Sequence, residues 1–247
     1  MTHPARRRTA RAIAANRSDT TRRTMVGGLA LAGAALLWLA APHARAQDGA
    51  TPMPADAPTM ASEPGMERAI FAGGCFWCVE SDFDKVRGVK STVSGYIGGA
   101  TDNPTYENHT SAMHREAVEI VYDPDEVSYD ELLDVFWTSV DPTDEGGQFC
   151  DRGFSYTTAI YAVGEEQLRE AEASRDEYAA KLSEPIATEI VPAPRFWPAE
   201  DYHQDYYAKN PIRYSFYRRA CGRDGTVEDV WGEDAYAGLE ALKAAKG

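Results

Sequence analysis

The sequence predicts an α+β fold: a two-layer α/β sandwich in which a mixed, mainly antiparallel sheet is flanked by helices. Three observations support this. Strand-like and helix-like patterns alternate from residue 68 to residue 191, but without the strict βαβ rhythm of a doubly wound parallel sheet. A capping signature and a long charged amphipathic stretch supply the covering helices. No internal repeat interrupts the pattern, and about 180 residues suffice for one well-buried core.

The elements follow in order. A strand over residues 68 to 72 feeds the Gly73-Gly74 turn and a helix that begins at Cys75. Alternating apolar residues from Val89 to Ile97 predict a second strand, and Glu116 to Tyr122 a third. Ser128 with Glu131 forms a capping box ahead of Leu132, Leu133, Val135, Phe136 and Val140, which share one helix face until Asp141-Pro142 stops it. A glycine-rich loop (Thr143 to Gly153) leads to a strand from Tyr156 to Val163, an amphipathic helix from Glu165 to Leu182 and a strand from Ala187 to Val191. An aromatic-rich helix is expected from Ala199 to Lys209, ending before Pro211. The rest carries few turn signals before a small helix from Glu233 to Lys246.

The first 46 residues read as an export signal. Seven arginines between Arg6 and Arg23 precede an apolar stretch from Met25 to Ala41, and Ala44-Arg45-Ala46 places small residues where a signal peptidase cuts. The pair Arg22-Arg23 just before the apolar run resembles a twin-arginine signal. The alternative is a retained anchor, against which Gly27, Gly28 and Gly33 weigh. Residues 47–66, rich in Pro, Ala, Asp and Gly, read as a flexible linker, and 67–247 as the catalytic domain. The expected location is therefore the periplasm or another exported compartment. The whole chain has a net charge of −14. Without the leader, 17 basic face 38 acidic residues, a net of −21. So acidic a body disfavours nucleic acid or an anionic membrane surface as partner.

The chemistry concentrates in Gly74-Cys75-Phe76-Trp77-Cys78-Val79-Glu80. Cys75 follows two glycines, which permit close approach of a ligand. It stands at a helix start, where free N–H groups and the dipole favour a thiolate. Phe76 and Trp77, about 100° apart on a helix, can wall a pocket for a small apolar group such as a methyl. Cys78 lies one turn on, on the face of Cys75.

These residues, with Gly95-Tyr96-Ile97-Gly98-Gly99, Asn103-Pro104-Thr105-Tyr106, His114-Arg115-Glu116-Ala117-Val118, Tyr122-Asp123-Pro124, Phe136-Trp137, Asp141-Pro142-Thr143, Asp151, Tyr156 and Glu200-Asp201-Tyr202-His203-Gln204, resemble the A-type peptide methionine sulfoxide reductases. The variant with cysteine at position 78 resembles a subgroup of that family. The order and spacing agree from about Ala69 to Pro211. The resemblance implies a ferredoxin-like plait, a monomer, no cofactor and no metal. It also implies reduction of methionine S-sulfoxide, free or in oxidised proteins, in repair after oxidation. Cys75 is then the nucleophile, leaving as a sulfenic acid. Glu116 is the proton donor to the sulfoxide oxygen, Tyr106 and Tyr156 are hydrogen-bond donors to it, and Asp151 is a carboxylate that polarises the site. Phe76 and Trp77 hold the S-methyl group. A second thiol closes a disulfide, which a thioredoxin-type dithiol reopens.

Which thiol resolves the sulfenic acid stays open on sequence. Cys78 needs only one helical turn, Cys150 adjoins Asp151, and Cys221 would arrive on a mobile tail. Cys78 and Cys221 are favoured over Cys150. Two other readings remain: a thiol-disulfide exchanger built on Cys75-x-x-Cys78, and a zinc module of all four cysteines, whose separations of 72 and 71 residues lack a second close pair. The glycines at 73 and 74 lack the Lys-Ser/Thr of a phosphate-binding loop.

Overall fold

In the computed structural model, residues 64–243 are described. The expected signal segment, residues 1–46, lies outside them, as does nearly all of the linker.

The first strand, β1 (Glu67–Ala72), alternates its side chains between two apolar layers. Ala69 and Phe71 join the larger core with α1 (Phe76–Phe83), while Ile70 and Ala72 join a smaller cluster on the opposite face. Next come β2 (Val89–Ile97) and β3 (Arg115–Tyr122); β3 is buried along its whole length, as a central strand must be. The helix α2 (Tyr129–Trp137) opens on the expected capping box: the Ser128 hydroxyl accepts from the Glu131 N–H, and the Glu131 carboxylate accepts from the Ser128 N–H. A two-residue ladder, β4 (Gly147–Gln148) with β5 (Asp151–Arg152), folds the glycine-rich loop back on itself. The chain continues through β6 (Ala159–Ala162), α3 (Glu165–Ala179), β7 (Glu189–Pro192) and β8 (Phe196–Pro198).

The main sheet runs β7-β6-β1-β3-β2-β8, antiparallel throughout except for the parallel β6–β7 edge pair. Its inner four strands with α1 and α2 form β1-α1-β2-β3-α2-β6, spatial order β6-β1-β3-β2. This is the expected ferredoxin-like plait.

Several boundaries differ from the sequence expectation. Tyr156 does not start a strand. It ends a 3-10 turn, Phe154–Tyr156, entered through Gly153 (φ 108°) and closed by the Thr157 hydroxyl on the Phe154 carbonyl. Residues 199–205 are not helical, because Ala199 continues the edge pairing: its N–H donates to the Ser94 carbonyl, and the Gln204 side chain bonds both the N–H and the carbonyl of Ser94. Only α4 (Tyr206–Lys209) remains of that helix.

Pro211, read as a stop, is the first residue of α5 (Pro211–Ala220), where its missing N–H costs nothing. Gly222, left-handed at φ 73°, separates α5 from α6 (Arg223–Trp231). The last helix, α7 (Ala237–Leu242), is shorter than expected. Arg223, wholly buried, ties α6 to the catalytic turn. Its guanidinium donates to the carbonyls of Gly73 (3.1 Å) and Ser139 (3.0 Å) and lies 4.8 Å over the Phe149 ring.

Candidate active site

Cys75 is the N-cap of α1, held at the end of β1 by a turn that only glycine can make. Gly74 has φ +84°, and a Cβ there would lie 2.6 Å from the Gln148 side chain. The sulfur opens into a cavity of about 60 Å³ lined by Cys75, Phe76, Trp77, Tyr106, Glu116, Asp151, Tyr156 and Tyr217. All seven residues expected to react with or hold substrate are therefore brought together, with Tyr217 added. A larger open hollow of about 530 Å³, between the β1 start and α3, contains none of them.

The aromatic wall is fixed from behind. Phe76 is buried, its ring 5.0 Å from His203 and 5.8 Å from Tyr96. Trp77 is half-buried, stacked 3.8 Å from Tyr206, edge-on to Tyr217 at 5.7 Å, and donating from Nε1 to His203 Nδ1 at 3.1 Å. Burial pushes His203 down to about 4, so it is a neutral acceptor that sets the indole's angle. His109 is likewise buried and lowered. Its Nδ1–H donates to the Tyr106 carbonyl at 2.9 Å, leaving an unprotonated Nε2 that accepts from the Thr110 hydroxyl at 3.2 Å and lies 3.7 Å from Glu116 Oε1.

The two carboxyl groups have different environments. Glu116, on β3, is 2 % exposed; burial pushes it up to about 8, and the nearby Asp151 and Cys78 add to this. The Phe76 N–H on its Oε2 (3.0 Å) opposes the shift without cancelling it. At neutral pH Glu116 is a carboxylic acid with a proton to give. Asp151, on β5, is half-buried and raised by desolvation, but is held back by the Tyr217 hydroxyl that donates to Oδ2 and by the charge of Arg223. Tyr106 and Tyr156 are both raised, chiefly by burial, and stay neutral O–H donors. An acid, two phenols, a thiol and an apolar wall around one small hollow suit reduction of a polar S=O bond that carries a methyl group.

Comparison with known proteins agrees. The profile of the family described as peptide methionine sulfoxide reductase matches residues 67–235. The peptide methionine sulfoxide reductase MsrA 2 of Rhizobium meliloti is 57% identical over 182 residues, covering 74% of this chain and 91% of that one. The chain belongs to the peptide methionine sulfoxide reductase A family. The Bacillus subtilis member is 49% identical over 170 residues, covering 67% of this chain and 96% of its own. Among solved structures, methionine sulfoxide reductase A of Corynebacterium diphtheriae superposes with a TM-score of 0.60 at 39% identity, covering 62% of this chain and 79% of that one. Reduced Mxr1 of Saccharomyces cerevisiae gives 0.58 at 30% identity, covering 61% and 89%. The protein is thus an oxidoreductase that reduces methionine sulfoxide, a repair activity.

The placement of the cysteines in this reductase departs from two expectations. Cys221 is not on a mobile tail: it caps the C-terminus of α5 and is disulfide-bonded to Cys150, Cα to Cα 4.9 Å. Cys75 and Cys78 are free and buried. The helix start does not make Cys75 a resting thiolate either; the first N–H of α1 donates to Glu116 and not to sulfur. Burial, then the neighbouring Cys78 and Glu116, push the Cys75 thiol well up. Cys78 is lowered to about 7, first by its hydrogen bond with Cys75 and then by Arg223 and Arg218, against the cost of burial. The pair gives up one proton readily and the second with difficulty.

The four cysteines do not gather as one zinc module. Among the described residues, the one group of potential ligand atoms close enough is Cys150, Asp151 and Cys221, and its two sulfurs are bonded to each other.

Tyr217 was invisible to sequence reasoning. It lies beyond the last recognisable segment, in a stretch to which the sequence assigned no element. The usable signal was Pro211 as a helix start with Tyr214 and Tyr217 three residues apart on one face.

Proposed function

We propose that the protein reduces methionine S-sulfoxide, free and in exported proteins, by attack of Cys75 on sulfur. Glu116 protonates the oxygen as the S–O bond breaks, while Tyr106 and Tyr156 donate hydrogen bonds to it and Phe76 and Trp77 hold the S-methyl group. Methionine leaves and Cys75 keeps the oxygen as a sulfenic acid. Cys78 then attacks that sulfur, expelling water and closing a Cys75–Cys78 disulfide. A thioredoxin-type dithiol reopens it, its own two thiols becoming the disulfide. The observation that carries this reading is the buried, protonated Glu116 facing the Cys75 sulfur across a hollow walled by Phe76 and Trp77. Cys78 is favoured as the resolving thiol because it is hydrogen-bonded to Cys75 and poised at about 7, whereas Cys150 and Cys221 are already paired. The reading also takes the protein to act as a monomer after export and removal of the arginine-rich leader.

The test is one turnover with each sulfoxide epimer in the absence of reductant. Wild type should consume the S epimer and lose both free thiols. Cys75→Ser should consume neither epimer. Cys78→Ser should consume one equivalent and retain a trappable sulfenic acid. Equal thiol loss in wild type and Cys78→Ser would remove Cys78 as the resolving residue. Activity without Cys75 would sink the mechanism.

A further inference from the structure

We propose that His109, Thr110 and Ser155 are positioning residues: they form a hydrogen-bonded bridge that fixes the spacing of the Tyr106 and Tyr156 phenols across the site. This rests on the reading of those phenols as donors to the sulfoxide oxygen and adds what aims them there.

Both phenols need such a fixture. Cys75 stands at a helix start and Glu116 on a buried strand, whereas Tyr106 begins a turn and Tyr156 ends one. Side chains on loops are held less firmly than those on regular elements. Tyr106 is also 45 % exposed, so packing alone fixes it weakly. A donor serves the transition state only at about 2.7 to 3.1 Å from the oxygen that gains charge.

The turn returns His109 to Tyr106. The N–H groups of Asn108 and His109 both donate to the Thr105 carbonyl, at 3.0 and 2.9 Å, and the Thr105 N–H donates to Asn108 Oδ1 at 2.8 Å. The buried His109 then donates from Nδ1 to the Tyr106 carbonyl at 2.9 Å, its ring 5.6 Å from that of Tyr106 and 4.9 Å from that of Tyr96. A carbonyl can only accept, so the one proton of the neutral ring is on Nδ1 and Nε2 must accept. It accepts from the Thr110 hydroxyl at 3.2 Å. With that proton directed at His109, Thr110 Oγ1 accepts in turn from the Ser155 hydroxyl at 3.4 Å. Ser155 is buried and precedes Tyr156 in the 3-10 turn.

Every bond in the bridge therefore has one direction, from Ser155 to Thr110 to His109 to the Tyr106 carbonyl, and it joins segments 45 residues apart. It also passes beside the acid, with His109 Nε2 3.7 Å from Glu116 Oε1.

The other contacts of the phenols act separately. The Tyr106 N–H donates to Glu200 Oε1 at 3.0 Å and its ring lies 4.8 Å from His203, which ties it to the segment behind the aromatic wall. The Tyr156 N–H donates to the Gly153 carbonyl at 3.0 Å, within its own turn. The bridge relates one phenol to the other. Thr110 itself is exposed, so its hydroxyl can be removed without opening a cavity.

Thr110→Val keeps the shape of the side chain and removes the central hydroxyl, Ser155→Ala removes the outer donor, and Thr110→Ser retains the hydroxyl. For each, the rate of a single turnover at saturating methionine S-sulfoxide is measured, with the concentration that gives half that rate, well below every variant's melting temperature. Thr110→Val and Ser155→Ala should each slow the turnover by about 3- to 10-fold. The half-saturating concentration should not change, since Phe76 and Trp77 still hold the methyl group. Thr110→Ser should turn over at the wild-type rate. In a Tyr106→Phe, Tyr156→Phe background, itself slowed, Thr110→Val should cause no further loss, because the bridge acts only through the two phenols. A wild-type rate in both Thr110→Val and Ser155→Ala overturns the bridge, as does a Thr110→Ser as slow as Thr110→Val or an undiminished further loss in the background without the phenols. If that background is as fast as wild type, the reading of Tyr106 and Tyr156 as donors is what fails, and the bridge falls with it.

Discussion

Among the described residues no cation neutralises the Glu116 carboxyl group, and its proposed role as the acid follows from that. It lies on the fully buried strand β3, facing the Phe76 N–H and the unprotonated nitrogen of a neutral His109. Desolvation therefore wins over its one hydrogen bond, and it stays protonated until about pH 8. Turnover limited by proton delivery to the sulfoxide should accordingly hold below that pH and fall as pH rises through about 8. Glu116→Gln should lower kcat/KM by about 100- to 1,000-fold and abolish that alkaline limb; a pH–rate profile of both proteins checks it. An unaltered limb in the variant would assign the titration elsewhere, with Cys78, lowered to about 7, the first alternative.

At the scale of elements, the site is a meeting of structures that are far apart in the chain, β3 with Glu116 and three others among them. The β1–α1 turn brings Cys75, the β4–β5 loop brings Asp151, and α5 brings Tyr217. Two contacts hold them: the Arg223 guanidinium on the Gly73 carbonyl and the Cys150–Cys221 bridge across a separation of 71 residues. In the chain-entropy account such a bridge contributes up to about 4 kcal/mol by restricting the unfolded chain. Replacing both cysteines by serine should lower the melting temperature. It should also raise KM for a peptide sulfoxide, as Asp151 and Tyr217 lose their fixed spacing. Thermal melts with steady-state kinetics on the Cys150→Ser, Cys221→Ser double variant test this. Loss of stability with unchanged kinetics would make the bridge a staple only.

For the whole molecule, burial of acids sets how stability depends on pH. Glu80, on α1, is wholly buried with neither carboxylate oxygen hydrogen-bonded, close to the backbone of Asp205 and to Ser94. Burial pushes it up to about 8, as it does Glu116. In the unfolded chain each titrates near 4.3. The folded protein thus holds protons that the unfolded chain releases, and the stability they contribute, fully present below about pH 4.3, is lost as pH rises through about 8. Melting temperature should fall on the alkaline side. Glu80→Gln, neutral at every pH, should flatten that fall without removing it, because Glu116 remains. Equal slopes for the variant and wild type between pH 6 and 9 would exclude Glu80 as a contributor.

The sequence by itself indicated the residues proposed as nucleophile, aromatic wall and acid and, through the family resemblance, the plait. Each is written in local order: Cys75 to Trp77 in consecutive residues, the strands in alternating apolar residues, α2 in the Ser128–Glu131 box. Glu116, Tyr106, Tyr156 and Asp151 were legible because the segments around them keep the family's spacing. Only the tertiary structure decided the rest. Cys150 pairs with Cys221 because β5 and α5 pack side by side, and no spacing of 71 residues encodes that. Cys75 rests as a thiol because folding buries it beside Cys78 and Glu116, the latter from a strand 40 residues away. Tyr217 enters the site because Pro211 begins a helix, where local reading had seen only an end. Periodicity and capping act over a few residues and can be read along a chain. Desolvation, shared protons and cross-chain bonds depend on which distant surfaces meet, and folding supplies that information.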